Sequence, residues 1–213
     1  MSGFSNDSGK KIVDNIIQVI QENRQYLSDI DGKIGDGDHG INMSKGFTLC
    51  QQELESNPGN MSHGFGVLSK ILMTKIGGSM GPLYGMFFKA LSKESEGEPE
   101  INEAVVRGMF NGAVNKLSVI SPAKKGDKTL MDALLPALDA LNNSLDGGDG
   151  LTIALKNMKK AAESGRDKTI GMQAKLGRSA RLGERSIGVL DAGATSCALI
   201  LGTFADTATD LIN

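Results

Sequence analysis

The chain has 213 residues, a length that suits one ordinary domain and lets it bury a core without disulfides or structural metals. Its 23 basic and 25 acidic residues leave a formal net charge of -2, which excludes a whole-protein field drawing in nucleic acid or an anionic membrane. Cys50 and Cys197 lie far apart, the start lacks a secretory signal pattern, and the apolar runs are too short for the roughly 20 residues that cross a bilayer, so a reduced, cytoplasmic protein is expected.

In chain order, Ile12, Val13, Ile16, Ile17, Val19, Ile20 and Leu27 recur at helical spacing behind Ser8 as a cap, predicting a first helix over 9–28. An aspartate- and glycine-rich loop follows. A second helix over 40–55 carries Ile41, Met43, Phe47, Leu49 and Leu54 and is stopped by Asn57-Pro58-Gly59. Helices are predicted over 62–76, 83–94, 100–118, 130–144, 151–164 and 194–212, with a turn or two between 168 and 185 and no strand. The 28 glycines gather between helices, at 32–40, 77–85, 147–150 and 177–193. In an antiparallel arrangement alternate connections fall at one end, so loops distant in sequence can converge on one ligand. The expected architecture is all-α, an eight-helix antiparallel up-and-down bundle or barrel formed as a single domain over 1–213, with its site in the loops at one end. Ten methionines and nine aromatics predict an adaptable, aliphatic core in which Met73, Met86 and Met109 fill gaps.

The segment from Asp31 to Gly40 brings three short carboxylates, Asp31, Asp36 and Asp38, among four glycines. Clustered carboxylates repel, and a hard divalent cation relieves that repulsion, so magnesium is the natural candidate. An EF-hand is excluded because Lys33 and Gly35 occupy positions that should ligate. The competing account is an Asx-turn and capping loop, since Asp and Gly are also the commonest turn formers. His39, Gly40, Ile41 and Asn42 open the second helix, so their backbone N–H groups and the helix dipole favour a phosphate there. His39 suits a positioning hydrogen bond better than acid or base work, and Asn42 serves equally as a first-turn residue. Gly77-Gly78-Ser79-Met80-Gly81-Pro82 lets backbone amides approach a phosphate or ribose, or forms an ordinary interhelical turn; it lacks the Gly-Lys-Ser/Thr ending of a Walker A loop. In Gly126-Asp127-Lys128-Thr129, Asp127 or Thr129 caps the next helix. Lys175, Arg178, Arg181 and Arg185 form a basic stretch that either neutralises a transferring phosphoryl group or is a solvated surface.

IGDGDHGINM at 34–43, GGSMGPLYG at 77–85, GDKTLMDAL at 126–134, GRSARLGERSIG at 177–188 and DAGATS at 191–196 together resemble the nucleotide-binding L subunit (DhaL) of bacterial dihydroxyacetone kinases. The segments lie almost end to end, and the family's eight-helix antiparallel barrel agrees with the helices read above. The resemblance implies that Asp31, Asp36 and Asp38 hold two Mg2+ ions bridging the phosphates of ADP or ATP. It further implies that His39, Gly40, Ile41, Asn42, Gly78, Ser79, Met80, Leu130, Arg178, Asp191, Ala192 and Gly193 surround the nucleotide, with Arg178 stabilising charge during transfer.

In such systems the ketone is held by a separate K subunit, and bound ADP is rephosphorylated in place by a phosphohistidine on an M subunit. The implied activity is therefore γ-phosphoryl transfer to dihydroxyacetone, with no nucleic-acid or membrane partner. Met80 stands where the family usually has a small hydroxyl residue, Pro122 interrupts a stretch usually Gly-Lys-Ala, and Ala192 replaces a common proline. These departures keep open an ATP-exchanging kinase subunit for a related ketose or polyol-derived ketone. A nucleotide-sensing regulatory partner also fits the same residues.

Overall fold

A computed structural model describes residues 3–213. Among them nine α-helices follow in order: α1 (Lys10–Glu22), α2 (Arg24–Ile34), α3 (His39–Ser56), α4 (Met61–Lys75), α5 (Met80–Ser95), α6 (Glu103–Ile120), α7 (Met131–Asp146), α8 (Leu151–Lys168) and α9 (Ala192–Ile212). Two 3₁₀ segments, Thr169–Gly171 and Ser179–Ser186, lie in the last connection. From α3 to α9 each helix packs on the next, and α1 packs on both α9 and α3, closing a barrel of eight walls.

The all-α expectation holds, but the predicted first helix over 9–28 is two helices. Asn23 breaks it with φ −93° and ψ 12°, and its side-chain amide joins its own N–H in donating to the Val19 carbonyl, at 2.8 and 3.1 Å, a local bond that favours ending the helix there. Beyond the break α2 runs on through Ile34, so Asp31 belongs to its last turn and the loop proper is Gly35–Asp38. Ser8 does not cap α1, whose first position follows Gly9 without a side-chain cap bond.

Elsewhere capping follows side-chain chemistry. Asn60 accepts from the His63 N–H at 3.1 Å to start α4, and Asn102 accepts from Ala104 and Val105 to start α6. At α7 the cap is not Asp127. Asp132 reaches back to accept the Thr129 N–H at 2.8 Å and the Gly126 N–H at 2.5 Å, while Thr129 Oγ1 accepts from Met131 at 3.2 Å.

A two-residue antiparallel pair, β1 (Phe4–Ser5) with β2 (Glu100–Ile101), departs from the strand-free expectation. It is held less by strand propensity than by buried Asn6, whose amide donates to Ser62 Oγ, the Ser95 carbonyl and the Glu98 carbonyl at 2.8–2.9 Å. The core is largely aliphatic, as expected, but most of the aromatics also lie within it. Phe47, Phe65, Phe87, Phe88, Phe110 and Phe204, from α3, α4, α5, α6 and α9, meet in a chain of ring contacts at 5.0–6.4 Å, mostly edge to face. Met109 is fully buried in the same core, as a gap filler would be. No described helix is long and apolar enough to cross a membrane.

Candidate functional site

The end of α2, the start of α3, the α4–α5 turn, the α6–α7 connection and the α8–α9 connection all open on one cleft of about 980 Å3. Sequence order thus scatters five segments that the barrel gathers at a single end.

Asp31, Asp36 and Asp38 stand at one side of the cleft, each offering a carboxylate oxygen such that the three lie within 4.8 Å of one another. Gly37, with φ 75°, makes the turn between the second and third, a conformation that side chains with a Cβ rarely adopt. The donor set is all oxygen and anionic, which fits a hard divalent cation. The His39 N–H donates to Asp31 Oδ2 at 3.3 Å, and Arg178 forms an ion pair with Asp36.

The first intrahelical bond of α3 runs from the Asn42 N–H to the Asp38 carbonyl, so the Gly40 and Ile41 N–H groups have no helical acceptor and form the anion-attracting end of the helix. His39 and Asn42 line the cleft; Gly40 and Ile41 do not. Gly40 is pressed against the Arg24 carbonyl and Ser28 of α2, where a Cβ would collide, and the Ile41 side chain faces solvent. Only their backbone is on offer to a ligand.

His39 is almost fully buried, and burial pushes its imidazole down to about 4, leaving it neutral near pH 7. Its Nε2 shares a hydrogen bond of 2.8 Å with Ser196 Oγ, which in turn shares one of 2.6 Å with the Tyr84 hydroxyl. Tyr84 also donates toward the Gly193 carbonyl at 3.1 Å, and burial raises its phenol well above the usual range. This relay fixes the ring from behind, in keeping with a positioning role.

Asp191 caps α9 by accepting the Ala194 N–H at 2.6 Å, yet burial pushes its carboxyl up to about 7, with Asp132 and Asp31 adding to the rise. Asp191, Ala192 and Gly193 line the cleft, as do Gly78, Ser79, Met80 and Leu130. Met73 and Met86, expected as gap fillers, line it too, with Met73 more than one-third exposed. Of the basic stretch only Arg178 lines the cleft. Lys175 pairs with Asp127 at 3.3 Å, and Arg181 and Arg185 are exposed.

Three contributors carried no role in the sequence reading: Tyr84, Ser196 and Lys128. Each falls inside a motif segment, but a back-of-site hydrogen bond leaves no periodic or compositional signal. Both cysteines are free and buried, and burial pushes their thiols up to about 12, so they are inert as nucleophiles at neutral pH.

A family model described as the DAK2 domain matches residues 33–206. The ADP-binding DhaL subunit of PEP-dependent dihydroxyacetone kinase 2 from Listeria innocua serovar 6a is 37% identical over 86% of both chains. The ADP-binding DhaL subunit of a PTS-dependent dihydroxyacetone kinase from Lactococcus lactis subsp. lactis is 38% identical over 87% of this chain and 89% of its own. In fold, the chain is similar to the dihydroxyacetone kinase of C. freundii, solved in complex with AMP-PNP and Mg2+. That match has a TM-score of 0.70 at 24% identity and covers 93% of this chain and 33% of that one. With the domain match spanning most of its length and this likeness to subunits of its own size, the chain belongs to the DAK2-domain family of DhaL-type dihydroxyacetone kinase subunits.

Proposed function

We propose that this chain, acting as one domain over 1–213 in the reducing cytoplasm, is the nucleotide-holding subunit of a dihydroxyacetone kinase. The observation that carries the reading is the convergence of Asp31, Asp36 and Asp38 beside the free N-terminus of α3 in one cleft. Two Mg2+ ions held by those carboxylates would neutralise the phosphates of ADP or ATP and polarise the bond that breaks. Around them, the Gly40 and Ile41 N–H groups left open at the start of α3, flanked by His39 and Asn42, and the amides of the Gly78–Met80 turn donate to phosphate oxygens. Leu130 and the Asp191–Gly193 turn bound the rest of the nucleotide. The neutral His39 ring orients rather than exchanges a proton. Arg178 places a cation where charge develops on the transferring group. The γ-phosphoryl passes to dihydroxyacetone presented by a K subunit, and a phosphohistidine M subunit restores ATP from bound ADP.

Calorimetry tests the site: Asp36→Ala and Asp38→Ala each abolish magnesium-dependent ADP binding, and normal binding in both variants would sink the proposal.

A second reading, a kinase subunit that exchanges free ATP and serves a related ketose, is favoured by Met80, Pro122 and Ala192, all of which line the cleft. The two readings separate on the purified protein. Stoichiometric ADP surviving gel filtration marks in-place recycling, and an empty site marks exchange.

A further inference from the structure

The connection from Met172 to Val189 brings Leu176, Gly177, Arg178 and Ser179 to the cleft, yet it has almost no core of its own. Only Ala174 and Ser186 are buried within it. What holds it is polar. Lys128 is 2% exposed, and its ammonium donates to three of the connection's carbonyls: Ser186 at 2.5 Å, Val189 at 2.6 Å and Met172 at 3.1 Å. An ammonium has three donors, and all three are used. Lys128 is also the sole non-glycine residue with positive φ among the described residues, at 63°. A side chain there is strained, and the bonds at its tip over-determine the conformation. Neighbouring contacts reinforce the anchorage. The Ala174 N–H donates to Ser186 Oγ at 2.9 Å, Ser186 Oγ donates to the Gly183 carbonyl at 2.6 Å, and the Lys175 N–H donates to the Asp127 carbonyl at 3.1 Å.

We infer that Lys128 is a positioning residue of the nucleotide site: its ammonium clamps both ends of the 172–189 connection and so delivers Arg178 to the carboxylate side of the cleft. The inference rests on the nucleotide reading above. Lys128 acts through Arg178 rather than on the phosphates, because its donors are already committed to carbonyls. Arginine cannot replace it, since a planar guanidinium does not direct three donors from one atom.

The test compares the full-length wild type with Lys128→Met, Arg178→Gln and the double variant. Each is titrated with Mg–ADP by calorimetry and digested with trypsin, which cuts after Lys175, Arg178, Arg181 and Arg185. Lys128→Met weakens Mg–ADP binding about tenfold, the scale of lost supporting interactions behind a ligand-binding group. The double variant is no weaker than Arg178→Gln alone, because the clamp has nothing left to position. Cleavage within the connection speeds up about tenfold in Lys128→Met, because its anchorage loses a charged set of hydrogen bonds. It does not speed up in Arg178→Gln.

Wild-type affinity together with wild-type protease resistance in Lys128→Met overturns the inference. So does a double variant whose loss equals the product of the single losses, which marks a direct or merely structural contribution. Should Lys128→Met fail to fold, Ser186→Ala removes the neutral part of the same anchorage and is judged by the same two criteria. An Asp38→Asn control keeps the readings apart. If wild type binds Mg–ADP no more tightly than this control, the nucleotide reading fails, while the digestion still judges the clamp.

Discussion

Asp191 holds two roles that pull its carboxyl in opposite directions. Burial favours the neutral acid and dominates, raising it to about 7, while the cap bond from Ala194 favours the carboxylate. An unfolded aspartate releases its proton near pH 4, so between about pH 4 and 7 the folded chain keeps a proton the unfolded chain has lost. This contribution to stability is therefore complete below that window and lost as pH rises through it. Asparagine keeps the cap acceptor and removes the titration. Urea unfolding in chelator, without nucleotide, should show wild type losing about 1–3 kcal/mol more than Asp191→Asn from pH 4 to 8. Parallel pH profiles would refute the argument. Ser196 stands at the centre of the relay between His39 and Tyr84. Removing its hydroxyl by Ser196→Ala strands buried His39 Nε2 and leaves the Tyr84 hydroxyl only its bond to the Gly193 carbonyl, at a cost of about 1–3 kcal/mol in unfolding free energy.

The carboxylate set depends on how closely α2 and α3 approach, and Gly40 sets that approach. A Cβ there would fall on the Arg24 carbonyl and crowd the Ser28 hydroxyl, so Gly40→Ala must push the start of α3 away from α2. Because Asp31 rides on α2 and Asp38 precedes α3, the same shift separates the carboxylates. The variant should lose about 1–3 kcal/mol, the usual cost of overpacking. It should also bind Mn2+, used as a paramagnetic probe of the site, more weakly by electron resonance titration; unchanged Mn2+ affinity would contradict this coupling.

The same pair of helices marks where the sequence was legible. Apolar periodicity located the helices because burial on one face imposes it, and Asp31, Asp36 and Asp38 stood out because clustered charge needs a cause. The break at Asn23 was not visible, since its side-chain bond to the Val19 carbonyl leaves the apolar pattern uninterrupted. Nor was the difference between Gly40, which packs, and Gly37, which turns. Met73 and Met86 read as core because hydrophobicity does not distinguish an interior wall from the wall of a cleft.

At the scale of the whole molecule, exposed apolar surface is unevenly placed. Of eight large apolar side chains with substantial exposure among the described residues, Ile41, Met73, Val119, Ile120, Ile170 and Ile187 sit on the turns and helix ends that surround the cleft. Ile153, at the start of α8, lies at the opposite end of the barrel. Apolar groups ringing the mouth of a cleft suit docking by another protein better than they suit solvent. If the ketone is held by a partner subunit, as proposed above, that partner must cover this rim. Val119 is 84% exposed and does not line the cleft, so Val119→Asp should leave stability within about 0.5 kcal/mol. Mg–ADP affinity should not change. With a K-type partner present, however, an aspartate at a desolvated contact should slow phosphoryl transfer to dihydroxyacetone at least about tenfold, by raising the partner concentration needed for half-maximal rate. Ile153→Asp, an apolar-to-acid change at an exposed position of the far end, should leave the rate untouched. Equal rates for the two variants would mean that the apolar rim is not where the partner sits.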